Sequence, residues 1–128
     1  MTDKKKTILI VEDSPVQALS ASQLLEDKGL NTICAVNGEA GLDMARQNLP
    51  DAILLDIQMP GMDGLEVCRR LQADPKTSGI PIILLTSQDN PETLRQGFDG
   101  GAVDFIPKDA FYGTILIETL RQLKIINQ

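Results

Sequence analysis

Histidine is absent from all 128 residues. That absence removes Ser-His-Asp and Cys-His nucleophilic sites and most zinc enzymes, which rely on an imidazole as base or ligand. Tryptophan is absent too, and aromatics make up 3% of the chain, so the core must be mainly aliphatic. Cys34 and Cys68 are isolated, with no metal-ligand spacing and no second pair, and are expected to be buried free thiols. No apolar run approaches the roughly 20 residues of a membrane span. No signal-peptide h-region stands near the start. The expectation is a cytoplasmic protein without membrane contact. Basic charge is scarce: 12 Lys and Arg against 18 Asp and Glu leave a net charge of −6. Nucleic-acid binding would need a basic face, so it is not expected. Lys4-Lys5-Lys6 reads as a solvated entry to the first strand.

What is present is an ordinary globular composition, 42% hydrophobic, in a chain the size of one domain spanning residues 1–128. The organising stretch runs from Asp51 to Gly64. Within it the apolar run Ala52–Leu55 ends in Asp56, and the breakers Pro60, Gly61 and Gly64 follow. A short apolar run bounded by turn signals reads as a buried strand of a parallel sheet. A carboxylate at its end is a poor core filler, because desolvating a charge is costly. The bland alternative is an aspartate that caps the next turn.

The rest of the chain repeats this pattern. Strands are expected at Thr7–Val11, Asn31–Val36, Ile80–Thr86 and Ala102–Ile106. The second, being less apolar, is assigned to a sheet edge. Helices are expected from Pro15 to about Lys28, behind the cap Ser14, and from the cap Asn37 to about Gln47. A third follows Asp63 and Glu66, spaced as a capping box, and runs to about Ala73. Two more run from Asn90-Pro91 to Asp99 and from Phe111 to Ile126. Ala18, Leu19, Ala21, Leu24 and Leu25 form the apolar face of the first helix; Ile115, Leu116, Leu120 and Leu123 form that of the last. Five alternating βα units imply a doubly wound α/β fold, a parallel sheet with helices on both faces.

Parallel strands place all their carboxyl ends along one edge, where ligands of open α/β sheets bind. Glu12 and Asp13 follow strand one, Asp56 ends strand three, Thr86 and Ser87 end strand four, and Lys108 follows strand five. Converging carboxylates need a cation, and hard oxygens suit Mg²⁺, which often bridges to phosphate. A lysine and a hydroxyl beside it suit a phosphoryl group, and a carboxylate can itself accept one as an aspartyl phosphate.

With these residues in place the chain resembles the receiver domain of two-component response regulators. The resemblance is carried by Glu12-Asp13, by Asp56 with Met59-Pro60-Gly61-Met62-Asp63-Gly64, by Thr86-Ser87, and by Gly101 to Lys108. It covers essentially the whole chain, and it implies a flavodoxin-like (βα)5 fold with strand order 2-1-3-4-5. It also implies that Asp56 accepts a phosphoryl group from a histidine kinase or histidine phosphotransfer protein. Asp13 and Asp56 would bind Mg²⁺ (or Mn²⁺), with Glu12 close by and the backbone carbonyl of Gln58 as a further ligand. Lys108 would pair with the phosphoryl group and Thr86 would donate its hydroxyl. Phe105 would change rotamer as Thr86 moves. Such a chain is not a classical enzyme but catalyses its own aspartyl phosphorylation and dephosphorylation. Its output would be contact with a downstream protein through the face of the fourth helix, fifth strand and fifth helix, with a phosphorylation-dependent dimer as a further expectation.

The sequence departs from the family pattern at Lys108-Asp109, where a proline usually follows the lysine; here Pro107 precedes it. Gln58 and Gln88 flank the expected phosphoryl site. Met44, Met59 and Met62 lack the Cys or His of a soft-metal site and read as gap-fillers. Phe105 has a plain core reading, and Asp63 reads as a helix cap.

Two rival classes are opposed by particular residues. A haloacid-dehalogenase-type phosphatase would carry a second aspartate where Gln58 stands. A flavodoxin-like cofactor binder would need a phosphate loop where Glu12-Asp13 would repel phosphate. Two further alternatives are a receiver-like module that binds partners without phosphorylation, and a receiver piece of a larger regulator or hybrid kinase. The initial Met and the closing helix favour an intact stand-alone switch.

Overall fold

Residues Thr7–Val11 form the first strand, β1, and its side chains alternate between two cores. Ile8 and Ile10 enter one, Leu9 and Val11 the other. This is the period-two pattern of a strand covered on both faces. The computed structural model describes residues 5–87, 91–109 and 111–126. After β1 come α1 (Pro15–Glu26), β2 (Asn31–Ala35), α2 (Gly38–Asn48), β3 (Ala52–Asp56) and α3 (Gly64–Ala73). Then follow β4 (Ile82–Thr86), α4 (Pro91–Asp99), β5 (Asp104–Pro107) and α5 (Tyr112–Gln122).

All pairings are parallel, in the order β2-β1-β3-β4-β5. One core lies under α1 and α5, where Ala21, Leu25, Leu116 and Leu120 pack on Ile10, Leu54 and Leu85. The other lies under α2 and α3, where Ala45, Val67, Cys68 and Leu71 pack on Leu9, Leu55 and Leu84. The expected fold class and strand order are both found. Because β1 lies between β2 and β3, the chain reverses direction across the sheet there. The reversal opens a crevice beyond the carboxyl ends of β1 and β3, where such sheets bind ligands.

The caps read from the sequence form at three helices. Ser14, Asn37 and Asp63 each accept from an N–H three residues on, that of Gln17 (3.3 Å), Ala40 (2.8 Å) and Glu66 (3.0 Å). The box at Asp63 is only half closed, because the Glu66 carboxylate turns to Arg69 and Arg70 instead. Asn90 and Gln88 lie outside the described residues, as does Lys4.

Several expected boundaries move inward. α1 ends at Glu26, and Gly29, at φ +85°, supplies the left-handed turn that closes it. β4 starts at Ile82, since the Ile80 N–H bonds back to Thr77 and Pro81 has none to offer. β5 starts at Asp104 rather than Ala102, whose N–H still closes α4 on the Gly97 carbonyl. It takes in Pro107, tolerated because β5 is an edge strand. α5 stops at Gln122, and Ile125 and Ile126 fold back to bury themselves against the core.

Three burial expectations fail because hydrophobic period alone does not say how far the neighbouring elements cover a side chain. Leu19 is 58% exposed and Ile115 39% exposed, each at the rim of its helix's apolar face. Cys34 is exposed because β2 is an edge strand, whereas Cys68 is fully buried. Met59 is buried, and Met44 and Met62 pack against the same core, as gap-filling requires. No helix among the described residues is long and apolar enough to cross a membrane.

Candidate functional site

Sheet register explains which side chains meet. Val11 pairs with Leu55, so Glu12 and Asp56 leave neighbouring strands at the same level. Ile10 and Leu54 precede them by two positions and lie in the α1/α5 core, so alternation sends Glu12 and Asp56 to that face. Ile106 belongs to the same core, and Lys108 follows it by two. Three residues from three strands thus project to one face of the carboxyl edge. Thr86 follows Leu84, which lies in the other core, and takes the opposite face. Phe105, the ladder partner of Leu84, shares that face with Thr86.

Asp56 is 1% exposed and Glu12 4%. Lys108 Nζ donates to Asp56 Oδ2 at 2.7 Å, lies 3.3 Å from Glu12 Oε1, and donates to Gln17 Oε1 of α1 at 2.8 Å. The other Asp56 oxygen accepts from the Gln58 N–H at 3.0 Å. Glu12 Oε2 accepts from the Ser14 N–H at 3.1 Å. Asp13 is exposed at the mouth. Glu12, Asp13 and Asp56 each offer an oxygen, and the three lie within 4.8 Å of one another. Three hard oxygens beside solvent are a donor set suited to Mg²⁺.

Thr86 is fully buried, and its Oγ1 accepts from Gln58 Nε2 at 3.0 Å. Gln58 Oε1 in turn accepts from the N–H and the hydroxyl of Ser87, each at 3.2 Å. Phe105 is half-buried and meets Phe98 edge-on, with ring centroids 6.3 Å apart. No peptide bond among the described residues is cis, including that between Lys108 and Asp109. The Lys108 N–H returns to the ladder by bonding the Thr86 carbonyl at 2.8 Å, which sets the lysine without a following proline.

Glu12, Asp13, Asp56, Gln58, Thr86, Ser87 and Lys108 lie together at this edge, Phe105 lies deeper in β5, and Gln88 is outside the described residues. Two partners were not foreseen: Gln17, and the side chain of Gln58. Gln17 sits on a helix 91 positions from Lys108, and no local pattern marks it. Gln58 was expected to contribute its carbonyl; its described contacts use the N–H and the amide.

The electrostatics follow from burial. Burial, and then the charge of Asp56, push Glu12 from its ordinary 4.5 up to about 7, against the opposing Ser14 N–H and Lys108. For Lys108 burial alone would lower the pKa, but the bonds and charges of Asp56 and Glu12 outweigh it, and the net shift is upward. Neutral Glu12 therefore stabilises the metal-free fold fully below pH 4.5, and that contribution is lost as pH rises through 7. The shift corresponds to about 3 kcal/mol. Urea unfolding without metal should show stability falling between pH 5 and pH 8. A divalent cation held by these oxygens would favour ionised Glu12, so Mg²⁺ should reverse the fall and bind more tightly at the higher pH. A flat profile with unchanged Mg²⁺ affinity would refute the assignment.

Fold and site together define a doubly wound α/β protein with an acidic crevice at its switch point and a lysine reaching into it. The profile of the response regulator receiver domain matches residues 8–120, and the chain belongs to that family. Receiver domains of two-component systems take phosphoryl groups from histidine kinases, signal to downstream targets, and generally bind Mg²⁺ in an acidic pocket. The chain is 39% identical over 109 residues to Protein PilH of Pseudomonas aeruginosa, covering 85% of this chain and 90% of PilH. It is 45% identical over 103 residues to the response regulator PleD of Caulobacter vibrioides, covering 79% of this chain but 22% of PleD. Among solved structures, the receiver domain of sensor histidine kinase PA1611 from P. aeruginosa superposes with a TM-score of 0.84. That likeness holds at 26% identity over 98% of this chain and 100% of that one, and that structure has magnesium coordinated in its active-site cleft.

Proposed function

We propose that this chain is a phosphorylation-dependent switch whose phosphoacceptor is Asp56. The observation that carries the reading is the buried Asp56 carboxylate, with Lys108 Nζ at 2.7 Å and the Glu12 and Asp13 oxygens beside it. A carboxylate oxygen of Asp56 attacks the phosphorus of a phosphohistidine on a partner. The new P–O bond forms as the P–N bond breaks, and the imidazole leaves with the electron pair and takes a proton from solvent. Phosphoryl transfer of this kind needs positioning and charge neutralisation more than covalent work by the protein. Lys108 supplies the fixed positive charge, and the Gln58 N–H orients the carboxylate.

Glu12, Asp13 and Asp56, with the Gln58 carbonyl, would hold Mg²⁺. When bound, the ion neutralises the charge of the phosphoryl oxygens. The added oxygens on Asp56 then attract Thr86 and Lys108. Thr86 and Phe105 share a sheet face, so movement of one frees space for the other. The output is a changed surface on α4, β5 and α5 that a downstream protein reads. Carrying such a switch from mostly off to mostly on takes about 5 kcal/mol of differential stabilisation. In this reading the chain works in the cytoplasm as one domain over residues 1–128, alone or as a unit of a longer regulator.

The test is intact mass after incubation with acetyl phosphate and Mg²⁺. The parent should gain one phosphoryl group only when Mg²⁺ is present, and Asp56→Asn should gain none. A parent left unmodified by acetyl phosphate and by a panel of histidine kinases would favour a phosphate-independent binding module. Phosphorylation of Asp56→Asn at the same rate would place the acceptor elsewhere.

A further inference from the structure

Gln58 makes contacts on both sides of the carboxyl edge. Its N–H holds Asp56 Oδ1, while its side-chain amide reaches the end of β4. There Nε2 donates to Thr86 Oγ1 at 3.0 Å, and Oε1 accepts from the Ser87 N–H and hydroxyl, both at 3.2 Å. Both ends of the amide are thus engaged by β4 and the residue after it. Register places Asp56 level with Leu85, so Thr86 starts from the face opposite the acceptor carboxylate.

We infer that the Gln58 amide is a latch that holds Thr86 and Ser87 in the resting arrangement and must release them before they can turn to a phosphoryl group on Asp56. The inference rests on the phosphoacceptor reading of Asp56. Phosphoryl oxygens only accept hydrogen bonds, so they recruit N–H and O–H groups from the edge around them. The Ser87 N–H is committed to Gln58 Oε1, and Thr86 Oγ1 is held by Nε2. Gln58 Oε1 is itself an acceptor and has no attraction for a phosphoryl oxygen. Switching therefore exchanges neutral amide bonds for bonds to a charged group. Charge-assisted bonds are roughly twice as strong as neutral ones, so the exchange runs forward only once the charge is in place. Gln58 is in this sense a positioning residue: it acts on the phosphoryl group through Thr86 and Ser87 and sets the threshold of the switch.

The experiment follows the amide resonances of Thr86 and Ser87 while the full chain, with Mg²⁺, is titrated with beryllofluoride, a phosphoryl mimic. Gln58→Met keeps the length of the side chain and removes its bonds. In that variant the midpoint should fall about tenfold, the effect of losing a few neutral hydrogen bonds from the resting state. Without ligand, hydrogen exchange at the Ser87 amide should speed up about tenfold, since that N–H loses its acceptor. Gln58→Ala should behave alike and keeps the test open if one variant folds poorly. A wild type that responds while both variants keep its midpoint, or need more mimic, overturns the latch and leaves the phosphoacceptor reading standing. A wild type with no response to beryllofluoride overturns that reading and the latch with it.

Discussion

Replacing Lys108 by methionine should destabilise the metal-free protein by about 3 kcal/mol at pH 8, and by much less at pH 5. The side chain is 21% exposed and bridges two carboxylates that are almost wholly buried. Removing one partner of a buried pair leaves an uncompensated charge and typically costs 3–5 kcal/mol; partial exposure of the lysine sets the lower end. At pH 8 the two buried carboxyl groups would face each other without the cation that offsets their charge. At pH 5 Glu12, with its pKa lifted to about 7, is already neutral, so far less repulsion is released. Mg²⁺ should recover part of the loss at pH 8 by supplying positive charge to the same oxygens. Urea unfolding at the two pH values, with and without Mg²⁺, measures all three effects. An equal loss at both pH values would show that Lys108 contributes by packing its stem rather than by charge. The same variant should lose the response to a phosphoryl group even where Asp56 is still modified, because the second group that new oxygens attract would be gone.

Gly64→Ala should cost about 2–3 kcal/mol, the upper range for a methyl forced into a packed site, and slow acetyl-phosphate labelling by roughly 10- to 100-fold. A Cβ at Gly64 would lie 2.4 Å from the Asp56 carbonyl oxygen and 2.8 Å from the Ile57 Cα. Both are backbone atoms and cannot swing aside, so α3 must retreat from the end of β3. The Gly64 N–H, which bonds the Ile57 carbonyl at 3.1 Å, would be pulled with it. The displaced segment is the one that carries Asp56 and the Gln58 N–H, so stability and labelling should fall together. Two controls separate crowding from backbone strain. Gly79→Ala meets nothing within 4 Å and should be nearly neutral in both measurements. Gly61→Ala also meets nothing, but its φ of +77° should cost about 1 kcal/mol with little effect on labelling. If Gly64→Ala labels at the parent's rate, the α3–β3 junction does not set the acceptor's position.

The alternation of apolar runs with breakers was enough to place five strands and five helices, and the caps Ser14, Asn37 and Asp63 set the starts of three helices. These features are local: hydrophobic period and the hydrogen-bonding of a few neighbouring residues specify them. The acidic residues, the lysine and the hydroxyls could also be assigned to one edge, because parallel strands force all carboxyl ends together. The ends of elements were less legible. Ala102 reads as strand by composition, yet its N–H is needed to close α4. Burial at the rims was illegible as well, since Leu19, Ile115 and Cys34 carry apolar side chains whose cover depends on which elements lie alongside.

What only tertiary structure decided is which groups touch. Glu12, Asp56 and Lys108 share a face because three strands pair in a given register, and Thr86 starts on the other face for the same reason. The Gln17–Lys108 and Gln58–Thr86 bonds join residues 91 and 28 positions apart. The pKa of Glu12 depends on burial that these neighbours create. A chain's sequence states the period and the chemistry of each segment. Register, burial and the pairing of distant side chains arise only when the sheet closes and excludes water from its edge.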